Sequence, residues 1–318
     1  MSNAAVWPRR IVSGAAKFFT TATVAAAAAT AFGVVSARQF GLRYETLALL
    51  PTDHAPVRIL HISDLHLLAG DTAKIEFVRS LADVAPDVVV NTGDNPGGSD
   101  AIDDVLKALA PLLHIPGVFV TGSNDMYGPK RANPLRYLRG PSKFQHAASP
   151  DAHGNVSHID VKKMFEGFTA SGQWHRLDNR SVRLHVRDDV AIDFAGTGDA
   201  HMHKDVWPGF TTADATTLLR VAVTHAPYRS VLDQAIDAGA QLVLAGHTHG
   251  GQVALPDYGA IVSNCDLPTG LAAGLFRWRA HGNTGLVNVS AGIGASPTVP
   301  LRTFCRPEAV VLDLVPEV

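Results

Sequence analysis

Apolar and polar residues alternate in blocks along the chain from Val57 onward. Short apolar runs of strand type are followed by segments with helical periodicity, and most runs end in Gly, Asp, Asn or His. The runs predict strands at VRILHIS, DVVVNTG, GVFVTG, VRLHV, VAIDFAG, LRVAVTH, QLVLAG, GLVNVSAG and AVVLDLV. Helical periodicity predicts helices over residues 72–83, 101–113, 161–171 and 228–238. This alternation indicates a layered α/β domain whose sheet strands are buried between helices.

The first forty residues have a different pattern. Arg9, Arg10 and Lys17 occur without any acidic residue, and the stretch from Phe18 to Ala37 is uncharged. This combination is typical of a membrane-directing segment. It predicts a single N-terminal membrane helix within residues 1–43, followed by one folded domain of residues 44–318. A signal peptide cleaved near VVSA is the alternative, and an Ala-rich helix packed on the domain is a weaker one because the run lacks a polar face.

The positive charges before the apolar run predict a cytoplasmic N-terminus. The folded domain is then anchored to the membrane and extracytoplasmic, or secreted if the segment is cleaved. Over the whole chain, 27 Lys and Arg against 29 Asp and Glu indicate no nucleic-acid partner. Cys265 and Cys305 form no CxxC motif, which excludes a cysteine zinc site of that kind and favours two buried thiols over one disulfide.

Oxygen- and nitrogen-donor side chains follow five of the predicted strands. They are Asp64 and His66, then Asp94, then Ser123, Asn124 and Asp125, then His225, and finally His247 and His249. Binding crevices of open α/β sheets form at strand ends, so these side chains predict one shared site. One residue separates Asp64 from His66, and one separates His247 from His249. We expect an extended backbone at both pairs, which would direct the two side chains of each pair to one side. The flanking glycines suit a close backbone approach: Gly93, Gly122, Gly246, Gly250 and Gly251.

The order of these motifs, DxH, GDx, a third Gly-led motif, a single His and GHxH, resembles that of the calcineurin-like metallophosphoesterases. The final GHTHGGQ is similar to the motif of the membrane-anchored bacterial phosphodiesterase-like branch. The resemblance covers residues 57–314 and implies a four-layer α/β/β/α sandwich with a two-metal centre. It also implies two ligand sets that share Asp94. One set is Asp64, His66, Asp94 and His249, and the other is Asp94, Asn124, His225 and His247.

The resemblance implies hydrolysis of a phosphomonoester, phosphodiester or pyrophosphate bond by a hydroxide that bridges two divalent ions. The residues agree with this chemistry, because imidazole, carboxylate and amide donors without a thiolate suit manganese, iron or zinc. Two such ions orient the phosphate and stabilise the in-line transition state. Asp94, as the shared ligand, is the central catalytic residue in this interpretation.

The third motif departs from the family pattern Gly-Asn-His-(Asp/Glu). The chain reads Gly122-Ser123-Asn124-Asp125, so Ser123 takes the place of the ligand if the outer residues are aligned. If the turn is shifted by one residue, Asn124 is the ligand. We favour the shift because an amide carbonyl is a better ligand than an alcohol, and we assign metal, substrate and catalytic roles to Asn124.

In either alignment the general-acid histidine of the family is missing. A positioned acid contributes about 10²–10⁴-fold to the rate. His201 after the strand VAIDFAG is the candidate replacement, with Asp199 as the residue that orients it, and an ordinary polar loop is the alternative. The missing acid also permits a second hypothesis, a catalytically weak metal-containing protein that binds phosphate or lipid.

A basic stretch follows the third motif. Between Gly128 and Pro150 there is no acidic residue, and the predicted substrate-binding residues Lys130, Arg131 and Arg136 lie there. A solvated surface loop is the alternative. Together with the N-terminal segment, this stretch predicts a phosphorylated substrate, either a small molecule or a phospholipid or lipid-linked phosphate, and a membrane partner.

Overall fold

The computed structural model of the protein describes residues 27–128, 159–187, 190–212, 217–296 and 299–317. Within these ranges the strands are β1 Gly41–Leu50, β2 Val57–Ile62, β3 Val88–Asn91, β4 Gly117–Phe119, β5 Trp174–Arg176, β6 Arg180–Arg187, β7 Val190–Gly196, β8 Thr217–Thr224, β9 Leu242–Ala245, β10 Ala254–Leu255, β11 Gly259–Ala260, β12 Gly274–Ala280, β13 Asn283–Val289 and β14 Glu308–Pro316. The helices are α1 Thr72–Ser80, α2 Ile102–Leu109, α3 Ser123–Met126, α4 Val161–Thr169 and α5 Arg229–Asp237. Residues 27–36 are also helical.

The longer strands form two six-stranded sheets in the described part of the chain. The first has the order β1-β14-β2-β3-β4-β5, and the second has the order β12-β13-β9-β8-β7-β6. In the first sheet β2, β3, β4 and β5 run parallel, and in the second β7, β8, β9 and β13 run parallel. Parallel neighbours have their carboxyl ends at the same edge, so the segments after these strands meet there.

Three large apolar clusters hold the elements of the described chain together. Both sheets contribute to one cluster, for example through Ile59 of β2 and Val221 of β8. The other face of the first sheet packs with α1, α2 and α4, and the second sheet packs with α5. Along β2, Ile59 belongs to the first cluster while Leu60 and Ile62 belong to the helical one. Burial on both faces explains why the predicted strands read as continuous apolar runs.

The nine strands predicted from the sequence correspond to β2, β3, β4, β6, β7, β8, β9, β13 and β14, and the four predicted helices to α1, α2, α4 and α5. The mixed α/β class is therefore confirmed. The hydrophobic pattern missed β1, because four of its ten residues are exposed at a sheet edge and it pairs in parallel with β14 at the far end of the chain. The predicted boundary between residues 43 and 44 falls inside this strand, which begins at Gly41.

The predicted membrane segment is described only in its last part. Residues 1–26, which include Arg9, Arg10 and Lys17, lie outside the described residues, as do Lys130, Arg131 and Arg136 of the basic stretch. In the helix of residues 27–36, Gly33 and Ser36 are buried and the other residues are exposed. Among the residues described, which begin at 27, no helix has the length and apolar composition needed to cross a membrane. The thiols of Cys265 and Cys305 are free.

Candidate metal centre

The donor side chains predicted from the sequence converge where the two sheets present their carboxyl ends. Asp64 and His66 follow β2, Asp94 follows β3, and Asn124 lies in α3 directly after β4. From the second sheet, His225 follows β8, and His247 and His249 follow β9. The shared edge expected from the parallel strands thus brings together residues that are far apart in the chain.

A first group consists of Asp64, His66 and His249, with Asp94 beside it. The donor atoms of Asp64, His66 and His249 lie within 4.8 Å of one another. His66 Nε2 is 3.1 Å from His249 Nε2 and 3.5 Å from Asp94 Oδ2, and Asp64 Oδ1 is 3.6 Å from His249 Nε2. Asp64 Oδ1 is buried and has no hydrogen-bond partner among the described residues. An unpaired buried carboxylate oxygen is unfavourable, so a cation fits this group.

A second group shares carboxylates with the first. Asp64, Asp94 and His225 also have donor atoms within 4.8 Å of one another. His225 Nε2 is 3.5 Å from Asp94 Oδ2 and 3.2 Å from His247 Nδ1. The Asn124 side-chain amide lies 2.7 Å from Asp94 Oδ2. The structure therefore places Asp94 next to residues of both predicted ligand sets.

Backbone carbonyl groups orient the histidine rings. His225 Nδ1 is 2.7 Å from Thr92 O, His249 Nδ1 is 3.1 Å from Gly294 O, and His247 Nε2 is 3.1 Å from Asn264 O. His249 Nδ1 also lies 3.3 Å from an Arg302 amino group, and His247 Nε2 lies 3.3 Å from the Asn264 amide nitrogen, but the carbonyl oxygen is the nearer partner in both cases. A carbonyl oxygen only accepts, so we assign an N–H to each of these ring nitrogens. For His247 and His249 the second nitrogen then faces the other donors with a free lone pair, which is the tautomer that a metal ligand requires. His225 would reach the same state when an ion displaces the proton on its Nε2.

Burial controls the protonation of these groups. It lowers the pKa of His249 to about 3 and keeps the pKa values of His66 and His247 well below the ordinary value, so these imidazoles stay neutral. For His225, burial alone would lower the pKa, but Asp94, Asp199 and Asp64 raise it to about 10. Burial also raises the pKa of Asp94 to about 7. The carboxylates thus create a strongly negative environment in which a divalent cation can take the place of protons.

The backbone at the candidate ligands is left-handed, which the sequence did not reveal. Positive φ angles occur at Asp64 (50°), His66 (37°), Asp94 (57°), His247 (68°) and His249 (51°). The prediction of an extended backbone at the DLH and HTH pairs is therefore wrong, and His249 opens the short 3-10 turn His249–Gly251. A left-handed conformation costs a non-glycine residue roughly 1–2 kcal/mol. Such strain concentrates at functional sites because the surrounding packing maintains it.

Two glycines allow the backbone to approach the donors. A Cβ atom at Gly122 would overlap Asp94 Oδ1 and the His225 ring. A Cβ atom at Gly246 would overlap Ser63 Oγ and Asp64 Oδ2. Glycine is therefore required at these positions because a side chain has no room there, and not because the φ angle is positive.

The third motif, residues 122–125, contacts Asp94 of the second motif through Asn124 and Asp125. Asn124 donates its backbone N–H to Asp94 Oδ1 over 2.8 Å, while Ser123 Oγ lies 3.5 Å from the Asn124 amide nitrogen. The buried carboxylate of Asp125 accepts hydrogen bonds from the backbone N–H groups of Gly122, Asp94 and Asn95, each at 2.8 Å. Asp125 thus joins the two metal-binding loops. In the sequence Asp125 is one of the donor side chains that follow a predicted strand, but nothing there indicates this role.

His201 lies beside the predicted ligands. It sits in the turn Ala200–Met202 after β7, with its ring centroid 4.7 Å from that of His247. Its Nδ1 is 3.1 Å from the hydroxyl of Tyr228, a residue that the sequence analysis did not select. The Asp199 carboxylate accepts from the His201 backbone N–H at 2.8 Å, so this hydrogen bond orders the turn and not the ring as predicted.

Two buried cations near the ligands had no recognisable sequence signal. Arg302 donates to Ala291 O at 2.6 Å and to His249 O at 3.3 Å. Lys74 on α1 donates to Leu65 O at 2.9 Å and to His66 O at 3.1 Å. Each one fixes the backbone of a candidate ligand. Arg302 is 53 positions from His249, and Lys74, only eight positions from His66, lies on α1 and not at a strand end, where the donor pattern was found.

Comparison with known proteins decides the family. The family model described as calcineurin-like phosphoesterase matches residues 57–251, which include every predicted metal ligand. The chain belongs to this family. It is a metallophosphoesterase, a hydrolase of phosphoric ester bonds, and its Asp and His groups can hold a divalent metal.

Relatives of this metallophosphoesterase match over most of the chain. The uncharacterized protein YpbG of Bacillus subtilis (strain 168) is 28% identical over 290 residues, which cover 90% of this chain and 96% of that protein. The uncharacterized metallophosphoesterase YkuE of the same organism is 24% identical over 84% of this chain and 82% of its own length. A Bos taurus relative, named transmembrane protein with metallophosphoesterase domain, is 28% identical over 83% of this chain and 54% of that protein.

Proposed function

We propose that this metallophosphoesterase hydrolyses a phosphomonoester, phosphodiester or pyrophosphate bond at a centre of two divalent metal ions. The observation that carries the proposal is the position of Asp94, whose Oδ2 atom is 3.5 Å from both His66 Nε2 and His225 Nε2. One carboxylate between two separate histidine groups is the arrangement that a shared ligand requires. The three apolar clusters also support the α/β/β/α layer order that the family resemblance implies.

The ligand sets follow from the two groups. Asp64, His66, Asp94 and His249 would hold one ion, and Asp94, Asn124, His225 and His247 the other. The contact of Asn124 with Asp94 supports the shifted alignment of the third motif, in which rotation of the amide presents its oxygen to the ion. Manganese, iron and zinc all suit these donors. When bound, two such ions supply Lewis-acid activation of water and of the phosphate, with charge stabilisation in the in-line transition state.

His201 is the general acid in this proposal. Its ring lies 4.7 Å, centroid to centroid, from that of the proposed ligand His247, where its imidazole can donate a proton to the leaving oxygen as the bond from that oxygen to phosphorus breaks. Burial lowers the pKa of His201 to about 4. A bound phosphate would raise that pKa, because a nearby negative charge favours the protonated imidazole. Proton donation would thus be coupled to substrate binding.

A phospholipid or lipid-linked phosphate is the proposed substrate class. The uncharged stretch from Phe18 to Ala37 and the name of the Bos taurus relative support a membrane-anchored, extracytoplasmic domain, with a secreted form as the alternative. Lys130, Arg131 and Arg136 are the proposed phosphate contacts. If a form without residues 1–40 hydrolysed soluble and membrane-embedded substrates equally well, the lipid proposal would lose its support.

The absence of the family's acid histidine from GSND favours one second candidate, a protein that binds phosphate or lipid with little turnover. One experiment separates the two. Metal content of the full chain in detergent is measured together with hydrolysis of an aryl phosphomonoester and a bis-aryl phosphodiester. Asp94→Asn is compared with Asp103→Asn, whose carboxylate is 76% exposed on α2.

About two metal equivalents, with turnover that Asp94→Asn abolishes and Asp103→Asn preserves, is the expected result. Two equivalents without turnover of either compound, or of a phospholipid in mixed micelles, would favour the binding protein. A preparation that takes up no metal at all would overturn the ligand assignment.

A further inference from the structure

The helix of residues 27–36 touches the folded domain through a narrow contact. Gly33 and Ser36, one turn apart, are buried, whereas Phe32, Val34 and Val35 are exposed. The Gly33 carbonyl accepts the backbone N–H of Arg302 at 2.9 Å. A Cβ atom on Gly33 would lie 3.1 Å from the Leu301 side chain, so the helix and the segment of residues 301–304 are in close contact. The apolar residues of the helix therefore project away from the domain.

Phe304 extends this apolar surface beyond the helix. Its ring centroid is 5.5 Å from that of Phe32, and the residue is 60% exposed. Its φ angle is +51°, a left-handed conformation that is uncommon and strained for a bulky residue. The backbone thus displays an aromatic ring to the outside at an energetic cost, which points to a function for the ring there.

The β10–β11 hairpin continues the same surface. Ala254 and Thr303 exchange two hydrogen bonds, Ala254 N to Thr303 O and Thr303 Oγ1 to Ala254 O, each at 3.0 Å. Leu255 and Phe304 directly follow these two residues. Leu255 is 49% exposed and Tyr258 at the hairpin turn is 73% exposed. We call the set Phe32, Val34, Val35, Leu255, Tyr258 and Phe304 the apolar platform.

We propose that the apolar platform lies in the surface of a lipid bilayer and holds the metal centre at the level of the lipid headgroups. The helix of residues 27–36 is the end of the uncharged stretch that starts at Phe18, so the residues before the platform are themselves apolar. Exposed arginines, Arg38 and Arg306, flank the platform and suit anionic headgroups. The Tyr258 phenol suits the membrane–water interface, and the Phe304 ring suits the apolar region just below it.

The platform is built from the same segments as the metal centre. Arg302, between the platform neighbours Leu301 and Phe304, donates to the His249 carbonyl at 3.3 Å. On the other segment, only five residues separate His249 from Leu255. Contact of the platform with a bilayer therefore places the centre next to lipid phosphates. The proposal concerns the position of the domain and stands independently of the reaction that the centre performs.

Tryptophan fluorescence in reconstituted membranes tests the proposal. The full chain is placed in phosphatidylcholine–phosphatidylglycerol vesicles with and without lipids brominated near the headgroup end of their acyl chains. Phe304→Trp and Tyr258→Trp are compared with Val206→Trp, which is also strongly exposed, at 62%, but whose backbone N–H contacts Asn179 beside β6. The wild-type signal is subtracted to remove the native tryptophans.

We expect brominated lipid to remove most of the added emission at positions 304 and 258 and little of it at position 206. Equal quenching at all three positions, or no quenching at 304 and 258, would overturn the proposal. A blue-shifted emission at 304 and 258 without quenching, together with a doubled protein mass in detergent, would assign the platform to a second copy of the chain. Two separate reporter positions keep the test valid if one variant fails to fold.

Discussion

His66 Nε2 lies 3.1 Å from His249 Nε2, although 183 positions separate the two residues in the chain. The Nδ1 atom of His249 contacts Gly294 O, so its Nε2 lone pair faces His66, and Asp64 Oδ1 beside them has no hydrogen-bond partner among the described residues. Nitrogen and oxygen lone pairs that converge in a buried place are stabilised by a cation.

Metal binding should therefore stabilise the folded protein. A ligand at about one hundred times its dissociation constant adds about 2.7 kcal/mol, which raises the unfolding midpoint of a domain of this size by roughly 5 °C. Thermal unfolding with manganese or zinc and with chelator measures the difference. Asp64→Asn should lose this response while Asp103→Asn retains it, and an equal response in both variants would contradict the role of Asp64.

Alanine substitutions at neighbouring positions separate the two alignments of the third motif. Asn124→Ala should lower kcat/KM by more than about 100-fold, beyond the 10–100-fold loss typical of residues that only orient a ligand. Ser123→Ala should change it little, because the Asn124 side chain and not the Ser123 hydroxyl contacts Asp94. A larger loss in Ser123→Ala, accompanied by loss of metal, would favour the unshifted alignment.

The dependence of the rate on the leaving group tests His201 as the acid. His201→Ala should slow hydrolysis of an alkyl phosphoester by about 10²–10⁴-fold and that of a nitrophenyl ester much less, since nitrophenolate needs no proton. Tyr228→Phe should show a weaker form of the same selectivity because it removes only the contact at Nδ1. His203→Ala is the matched control two residues away. Equal losses on both substrates would argue for a structural role of His201.

A buried histidine should make stability depend on pH. Burial, reinforced by the charge of Arg43, lowers the pKa of His61 from 6.5 to about 3. Below pH 6.5 the unfolded chain binds a proton that the folded protein does not, so the free energy of unfolding falls with decreasing pH by up to about 1.4 kcal/mol per unit until the pH reaches about 3. Denaturant unfolding between pH 7 and pH 4 should show a shallower decline in His61→Gln than in the wild type. Parallel declines would contradict the assignment.

Gly246→Ala should damage the centre for lack of space. The added methyl group overlaps Ser63 Oγ and Asp64 Oδ2, and overpacking of this kind costs about 1–3 kcal/mol. We expect a lower unfolding midpoint and weaker metal binding. Gly270→Ala is the control, because no atom lies within 4 Å of a Cβ atom at that position and its φ angle is not positive. Similar stabilities of the two variants would show that the loop at Gly246 can move.

The sequence by itself determined the strands that are buried on both faces and the family of the protein. A run such as VAIDFAG predicts a buried strand, because both faces of β7 are buried. The bounds of β7 agree with the run. The donor residues were also recognisable, because each of them follows such a run directly. Their order along the chain carries this information without any knowledge of their positions in space.

The tertiary structure decided everything that depends on contacts between distant residues. The edge strand β1 finds its partner in β14, and His201 finds Tyr228, across separations that no local pattern encodes. The left-handed backbone at Asp64 and His249 is likewise imposed from outside, because isolated residues of these types favour other conformations. Packing around the site offsets this strain, and packing exists only once the two sheets have come together.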